Sequence, residues 1–98
     1  MTVQFVMLGT YSEKGLRYVE ERRRFTREQS QKNGLEVVSL VFTTGPYDFI
    51  EVFDVPSEAA AIAQVTAFKQ GGWGDILLVR AYDRETIDDA YSRLPVMD

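Results

Sequence analysis

The sequence contains neither histidine nor cysteine. Without histidine there is no Ser-His-Asp triad, no histidine-ligated zinc or non-haem iron, and no proximal-histidine haem. Without cysteine there is no disulfide framework, thiolate nucleophile or thiolate metal site. Any catalysis falls to Tyr, Asp, Glu, Lys or Arg, or to a borrowed cofactor, and Tyr, Lys and Arg titrate far from neutrality unless a site shifts them. We expect no metal and no cofactor. Long apolar runs are missing too: none approaches the roughly 20 residues that a bilayer core requires, and no basic stretch followed by an apolar one opens the chain. We expect a soluble, cytoplasmic protein with no membrane partner.

What is present fits one core. The 98 residues are 45% hydrophobic, which suits a single domain spanning 1–98 and leaves little room for a second. The net charge of −4 is unevenly placed: residues 13 to 33 hold seven basic and four acidic side chains, 7 − 4 = +3, and the remainder carries 4 − 11 = −7. Arg17, Arg22, Arg23, Arg24, Arg27 and Lys32 can be read as an anion-attracting strip. They can equally be a solvated helix face offset by Glu20, Glu21 and Glu28 three and four residues away. The overall acidity favours the second reading, and we expect no nucleic-acid partner.

Hydrophobic periodicity places the elements. Val3 to Tyr11 is rich in β-formers with apolar residues on both alternating sets, which predicts a strand covered on both faces. Ser12 is a candidate N-cap and Asn33-Gly34 a stop, predicting one long helix between them. Its apolar side, Leu16, Tyr18, Val19 and Phe25, is thin; Thr26, Gln29 and Ser30 stand where the stripe would continue, so its last turns must pack loosely or border something polar. Leu35 to Phe42 and Tyr47 to Val55 predict a hairpin around Thr43-Thr44-Gly45-Pro46. Pro56-Ser57 opens a second helix that ends at Gly71-Gly72, Ile76 to Tyr82 is a fourth strand, and Asp83 caps a short helix stopped by Pro95.

The order βαββαβ predicts an α+β, ferredoxin-like fold: a four-stranded antiparallel sheet with both long helices on one face and a short C-terminal helix. Two helices cover only one face, yet three of the four strands are apolar on both. A homodimer packed sheet to sheet would cover the other. The alternative is that the C-terminal segment folds across it.

Several short motifs recur in an order that resembles the GYD-domain family, small members of the dimeric α/β-barrel group. They are Leu8-Gly9-Thr10-Tyr11, Gly45-Pro46-Tyr47-Asp48-Phe49, the alanine-rich second helix, Arg80-Ala81-Tyr82 and Leu94-Pro95. Gly72-Trp73-Gly74 and the arginines at 22 to 24 depart from the pattern. The resemblance implies the ferredoxin-like fold and a dimeric α/β barrel. Relatives in the wider group include cofactor-free monooxygenases, polyketide cyclases and haem degraders, and the absence of histidine weakens the last.

Five residues are candidates for ligand binding: Tyr11, Tyr47, Asp48, Trp73 and Arg80. Tyr11, Tyr47, Trp73 and Tyr82 lie near strand ends, where rings with polar handles can line a pocket for a flat apolar or aromatic ligand, or can be ordinary core and interface aromatics. Trp73, flanked by glycines, could close a pocket mouth. Asp48, Glu51 and Arg80 are charges inside apolar strands, costly unless paired or wetted. Asp48 can instead accept N–H groups of the Thr44-Gly45-Pro46 turn, and Arg80 can hold a ligand carboxylate or pair with Asp48 or Glu51. Two function classes follow. One is a small-molecule binder or cofactor-free monooxygenase- or cyclase-like enzyme on an aromatic or polyketide-like substrate, polarised by Tyr47 and Arg80. The other is a non-catalytic assembly or regulatory module whose turn motif only shapes the dimer.

Overall fold

In the computed structural model, which describes residues 1–96, the first strand, β1 (Val3–Tyr11), lies inside the sheet, hydrogen-bonded on both edges. Its partners are β3 (Phe49–Val55) and β4 (Gly74–Arg80), both antiparallel, and β2 (Glu36–Phe42) pairs antiparallel with β3 to give the order β2-β3-β1-β4. The α+β, four-stranded antiparallel architecture is the expected one. Phe5, Met7 and Gly9 of β1 and Phe49, Glu51, Phe53 and Val55 of β3 alternate onto the helix face and are buried. Gly9 has to be glycine, since a Cβ there would fall 2.0 Å from the Phe49 ring that crosses it.

Helix α3 (Glu58–Gln70) starts at Ser57, whose hydroxyl accepts the Ala60 N–H, and it lays Ala61, Val65 and Phe68 on the sheet. The long first helix is broken in two: α1 (Glu13–Arg17) and α2 (Val19–Asn33) meet at Tyr18, whose ψ of 59° is not helical. The cause is Gly15. A Cβ there would lie 2.2 Å from the Trp73 carbonyl oxygen, so α1 sits directly on backbone, an approach also fixed by the Ser12 N–H donating to that oxygen at 2.9 Å. The bend leaves the Gly15 carbonyl free, and the buried Arg22 guanidinium donates to it. Leu16 and Tyr18, expected to anchor the helix, are exposed instead, and only Phe25 of that stripe packs against the core. Gly34 ends α2 in the left-handed conformation, φ 68°, with the Leu35 N–H returning to the Ser30 carbonyl at 2.9 Å.

The opposite sheet face carries Val6, Leu8, Ile50 and Val52, half-buried, with Val41, Leu77 and Val79 exposed. The C-terminal segment does not fold across it. Helix α4 (Arg84–Ser92), capped by Asp83, has only Ile87 partly covered, and Tyr91 beyond it is exposed. No helix among the described residues is long and apolar enough to cross a membrane.

Candidate functional site: a cavity under α2

Helix α3 packs down on the sheet, but α2 rests mainly on α3 and stands away from the strands. The gap is a cavity of about 350 Å³. Its roof is one stripe of α2, Arg22, Thr26 and Ser30, with Arg23 and Arg27 at the rim. Its floor is Met7, Phe49, Glu51 and Ile76, and Phe68 closes the inner end. Val37, Leu40 and Phe42 of β2 border the open side. The polar positions 26 and 30 that interrupt the apolar stripe of α2 therefore face this space. The spacing of the two helices is fixed by a partly buried chain in which Asn33 Nδ2 donates to Gln64 Oε1 at 2.8 Å and Gln64 Nε2 donates to Ser30 Oγ at 3.1 Å.

Glu51 is the one carboxylate in this floor. It lies between Met7 and Leu40 across the strands and is 8% exposed. Among the described residues no salt bridge reaches it. Burial alone pushes its pKa up to about 7. At neutral pH the side chain is thus divided between an acid that donates a hydrogen bond and a base that takes a proton, the condition in which a carboxyl is useful for proton transfer.

Tyr11 lines the same cavity, four residues along β1 from Met7, which pairs with Glu51. Its ring stacks on Phe49 at 5.1 Å and carries the Arg22 guanidinium 3.8 Å from its centroid. Burial raises the phenol's pKa, and the Arg22 charge opposes that. With the Gly15 carbonyl on one side and the Tyr11 ring on the other, Arg22 is held in place as part of the wall.

Of the five sequence candidates, only Tyr11 lines this cavity. Asp48 supports it from behind: its Oδ2 accepts the Tyr11 N–H at 2.8 Å, and its own N–H donates to the Gly9 carbonyl at 2.8 Å. The carboxylate therefore serves the β1 backbone and not the 44–46 turn, which Thr43 closes by donating from Oγ1 to the Tyr47 carbonyl at 2.7 Å. Tyr47 itself lies outside the cavity, half-buried.

Trp73 is a core residue, tilted against Phe25 at 5.9 Å with Lys14 Nζ 4.3 Å from its ring, and it closes no mouth. The glycine after it serves tight pairing, since a Cβ on Gly74 would meet the Thr10 oxygen at 1.8 Å. Arg80 pairs with neither Asp48 nor Glu51. Its Nη1 donates to the Gln4 and Ala81 carbonyls at 2.8 and 2.7 Å, in a smaller polar hollow with Thr2, Asp83 and Thr86. Arg80 pairs with Phe5, two residues along β1 from the floor residue Met7, but its guanidinium is bonded into that hollow and does not line the cavity. Glu51 is legible in sequence as a charge among apolar strand residues; Arg22 is not, because its burial depends on the bend at Tyr18.

The GYD domain model matches residues 5–91, nearly the whole chain. This chain belongs to the GYD-domain family. No curated protein matches this GYD domain. Among solved structures it is similar to the RPA0582 protein of unknown function from Rhodopseudomonas palustris, with 17% identity and a TM-score of 0.54 over 84% of this chain and 82% of that one. The methylated form of that protein gives 15% identity and a TM-score of 0.52 over 85% and 82%. These likenesses establish a shared fold for the GYD domain and its neighbours. In this GYD domain Asp48, the last residue of the Gly45 to Asp48 motif, braces β1 behind the cavity through the Tyr11 N–H and the Gly9 carbonyl.

Proposed function

We propose that this GYD domain, as a cytoplasmic homodimer, binds a small, flat, largely apolar molecule of aromatic or polyketide-like type under α2, and that Glu51 is its acid–base group. The observation that carries this reading is a nearly buried, unpaired carboxyl facing a cavity of about 350 Å³, within the usual size range of ligand pockets. The aromatic and aliphatic floor suits the body of such a ligand. Ionised Glu51 can take a proton from a phenol or from a carbon beside a carbonyl, leaving the electron pair on the ligand as phenolate or enolate. Protonated Glu51 can donate to a ligand oxygen, and Arg23 and Arg27 at the rim favour an anionic group there.

The test is a panel of polyphenols, aromatic ketones and 1,3-dicarbonyl compounds, read by thermal shift and by exchange of the ligand's acidic C–H for deuterium. Binding should raise Tm, and exchange should fall at least 100-fold in Glu51→Gln while binding persists. A panel in which nothing binds wild-type protein removes the reading; binding with equal exchange in both proteins removes only the acid–base role of Glu51.

The homodimer is supported by the uncovered sheet face, where Leu77 and Val79 are 51% and 40% exposed beside Val6, Leu8, Ile50 and Val52. Light scattering at micromolar concentration should give twice the chain mass. Leu77→Lys should halve it, because an unpaired charge in such an interface costs several kcal/mol. A monodisperse wild-type monomer rules the dimer out.

A further inference from the structure

Besides the outer sheet face, two apolar surfaces lack a neighbour among the described residues. One is the open side of the cavity, where Val37, Leu40 and Phe42 are 53%, 43% and 65% exposed. The other is α4 and the residues just after it: Ile87 and Tyr91 of the helix and Leu94 beyond its end recur at i, i+4 and i+7, with Tyr91 and Leu94 65% and 62% exposed. A helix of nine residues is too short to hold on its own in water, where about 12 to 15 are marginal. Its ion pairs, Arg84 with Asp88 and Arg93 with Asp89, are solvent-exposed and contribute little. An amphipathic helix of this length persists when its apolar side is packed.

The topology keeps α4 from packing on its own β2. The strands β2 and β4 are opposite edges of the sheet, about 14 Å apart at three strand spacings, and α4 follows β4. It stands off the body, which is why the radius of gyration is 15.9 Å where a compact chain of this length has about 13 Å. The charges also match between copies. Residues 83 to 93 carry two basic and four acidic side chains, 2 − 4 = −2, and residues 13 to 33, which bring Arg23 and Arg27 to the cavity rim, carry +3.

We propose that α4 of one protomer lies along β2 of its partner, seating Tyr91 and Leu94 on Val37, Leu40 and Phe42, so that each cavity receives its missing wall from the other chain. This rests on the homodimer proposed above, and a twofold axis makes the exchange reciprocal. The cavity is then completed only in the assembly, and ligand binding and dimerisation are coupled.

The chain's lack of cysteine allows a direct test. Leu40→Cys and Tyr91→Cys proteins, both substituted at exposed positions, are prepared separately, mixed, allowed to exchange protomers and treated with a short bis-maleimide. The mixture should give a two-chain covalent species as its main product, several-fold above either protein alone and above an Ala63→Cys and Tyr91→Cys control mixture. The doubly substituted chain should give the same species and no intrachain loop. Circular dichroism before cross-linking establishes that each variant is folded. A dimer by light scattering that yields no cross-link above the control overturns the exchange of α4 and leaves the homodimer standing, as does an intrachain product. A monomer by light scattering overturns both.

Discussion

Two helices lie on the same face of one sheet and do opposite things with it. Helix α3 presents Ala61, Val65 and Phe68 and makes core; α2 presents Arg22, Thr26 and Ser30 and makes a roof over empty space. The difference is written in side-chain chemistry. Small and apolar residues bring a helix down onto strands until dispersion contacts are complete. A stripe of guanidinium and hydroxyl groups has no such minimum to reach, and the Asn33-Gln64-Ser30 chain holds it at a distance by tying it sideways to α3. One half of the sheet is thus packed by a helix, and the other half is left facing a cavity.

The largest expected effect tests that division. Phe68→Ala, on the packed side, removes a side chain 7% exposed that contacts Tyr11 and Phe49, and should cost about 3 to 5 kcal/mol in denaturant unfolding. Thr26→Ala, on the roof, should cost less than about 1 kcal/mol. Equal losses at the two sites would mean that α2 is as tightly packed as α3 and that the cavity is not open in solution.

How much of this contrast the sequence discloses depends on how local its causes are. Strand alternation, the Gly34 stop and the Ser57 cap are local, and the strands appear within a residue or two of where periodicity puts them. The looseness of α2 is also visible, as Thr26 and Ser30 in an apolar stripe. The break at Tyr18 is not, since it follows from Gly15 meeting the Trp73 backbone more than fifty residues away. The burial of Arg22 is a consequence of that break. Tyr47, Trp73 and Arg80 look like site residues because charged and aromatic groups at strand ends look alike in sequence, whether they face a cavity, fill a core or brace a chain end. Glu51 carries the same signal as Arg80; they flank β1 opposite Met7 and Phe5, and only the folded packing leaves one in the cavity floor and bonds the other to the Gln4 and Ala81 carbonyls.

Next in size is the pH dependence that the buried carboxyl imposes. Folding raises the Glu51 pKa from 4.5 to about 7, so the folded state binds more protons than the unfolded state between those values. Stability is therefore full below the unfolded value, falls as pH rises through the window and levels off just above 7. The change corresponds to roughly 3 kcal/mol. Glu51→Gln removes this slope, so its Tm should match that of wild type near pH 4.5 and exceed it at pH 8. A wild-type curve that stays flat or rises across the window would place Glu51 in contact with water or with a cation, and the floor of the cavity would lose its acid–base group.

The smallest effect on stability is the sharpest on function. Thr26 sits in the roof, opposite a floor of Met7 and Phe49, and no structural hydrogen bond links its hydroxyl to another side chain among the described residues. Thr26→Leu adds apolar volume where space is already present, and leucine has the better helix propensity, so the substitution should stabilise the fold by about 1 kcal/mol. The same side chain occupies the place of a ligand. Thermal shift with any compound that stabilises wild-type protein should therefore vanish in Thr26→Leu, although the variant's own Tm is higher. Filling the packed side gives the reverse result: Ala61→Leu, at a residue 0% exposed under α3, should lower stability by about 1 to 3 kcal/mol because there is no void to receive it. If Thr26→Leu were the destabilising member of this pair, α2 would already be seated on the sheet as closely as α3, and the contrast between roof and core would fail at the residue where it is most exposed to test.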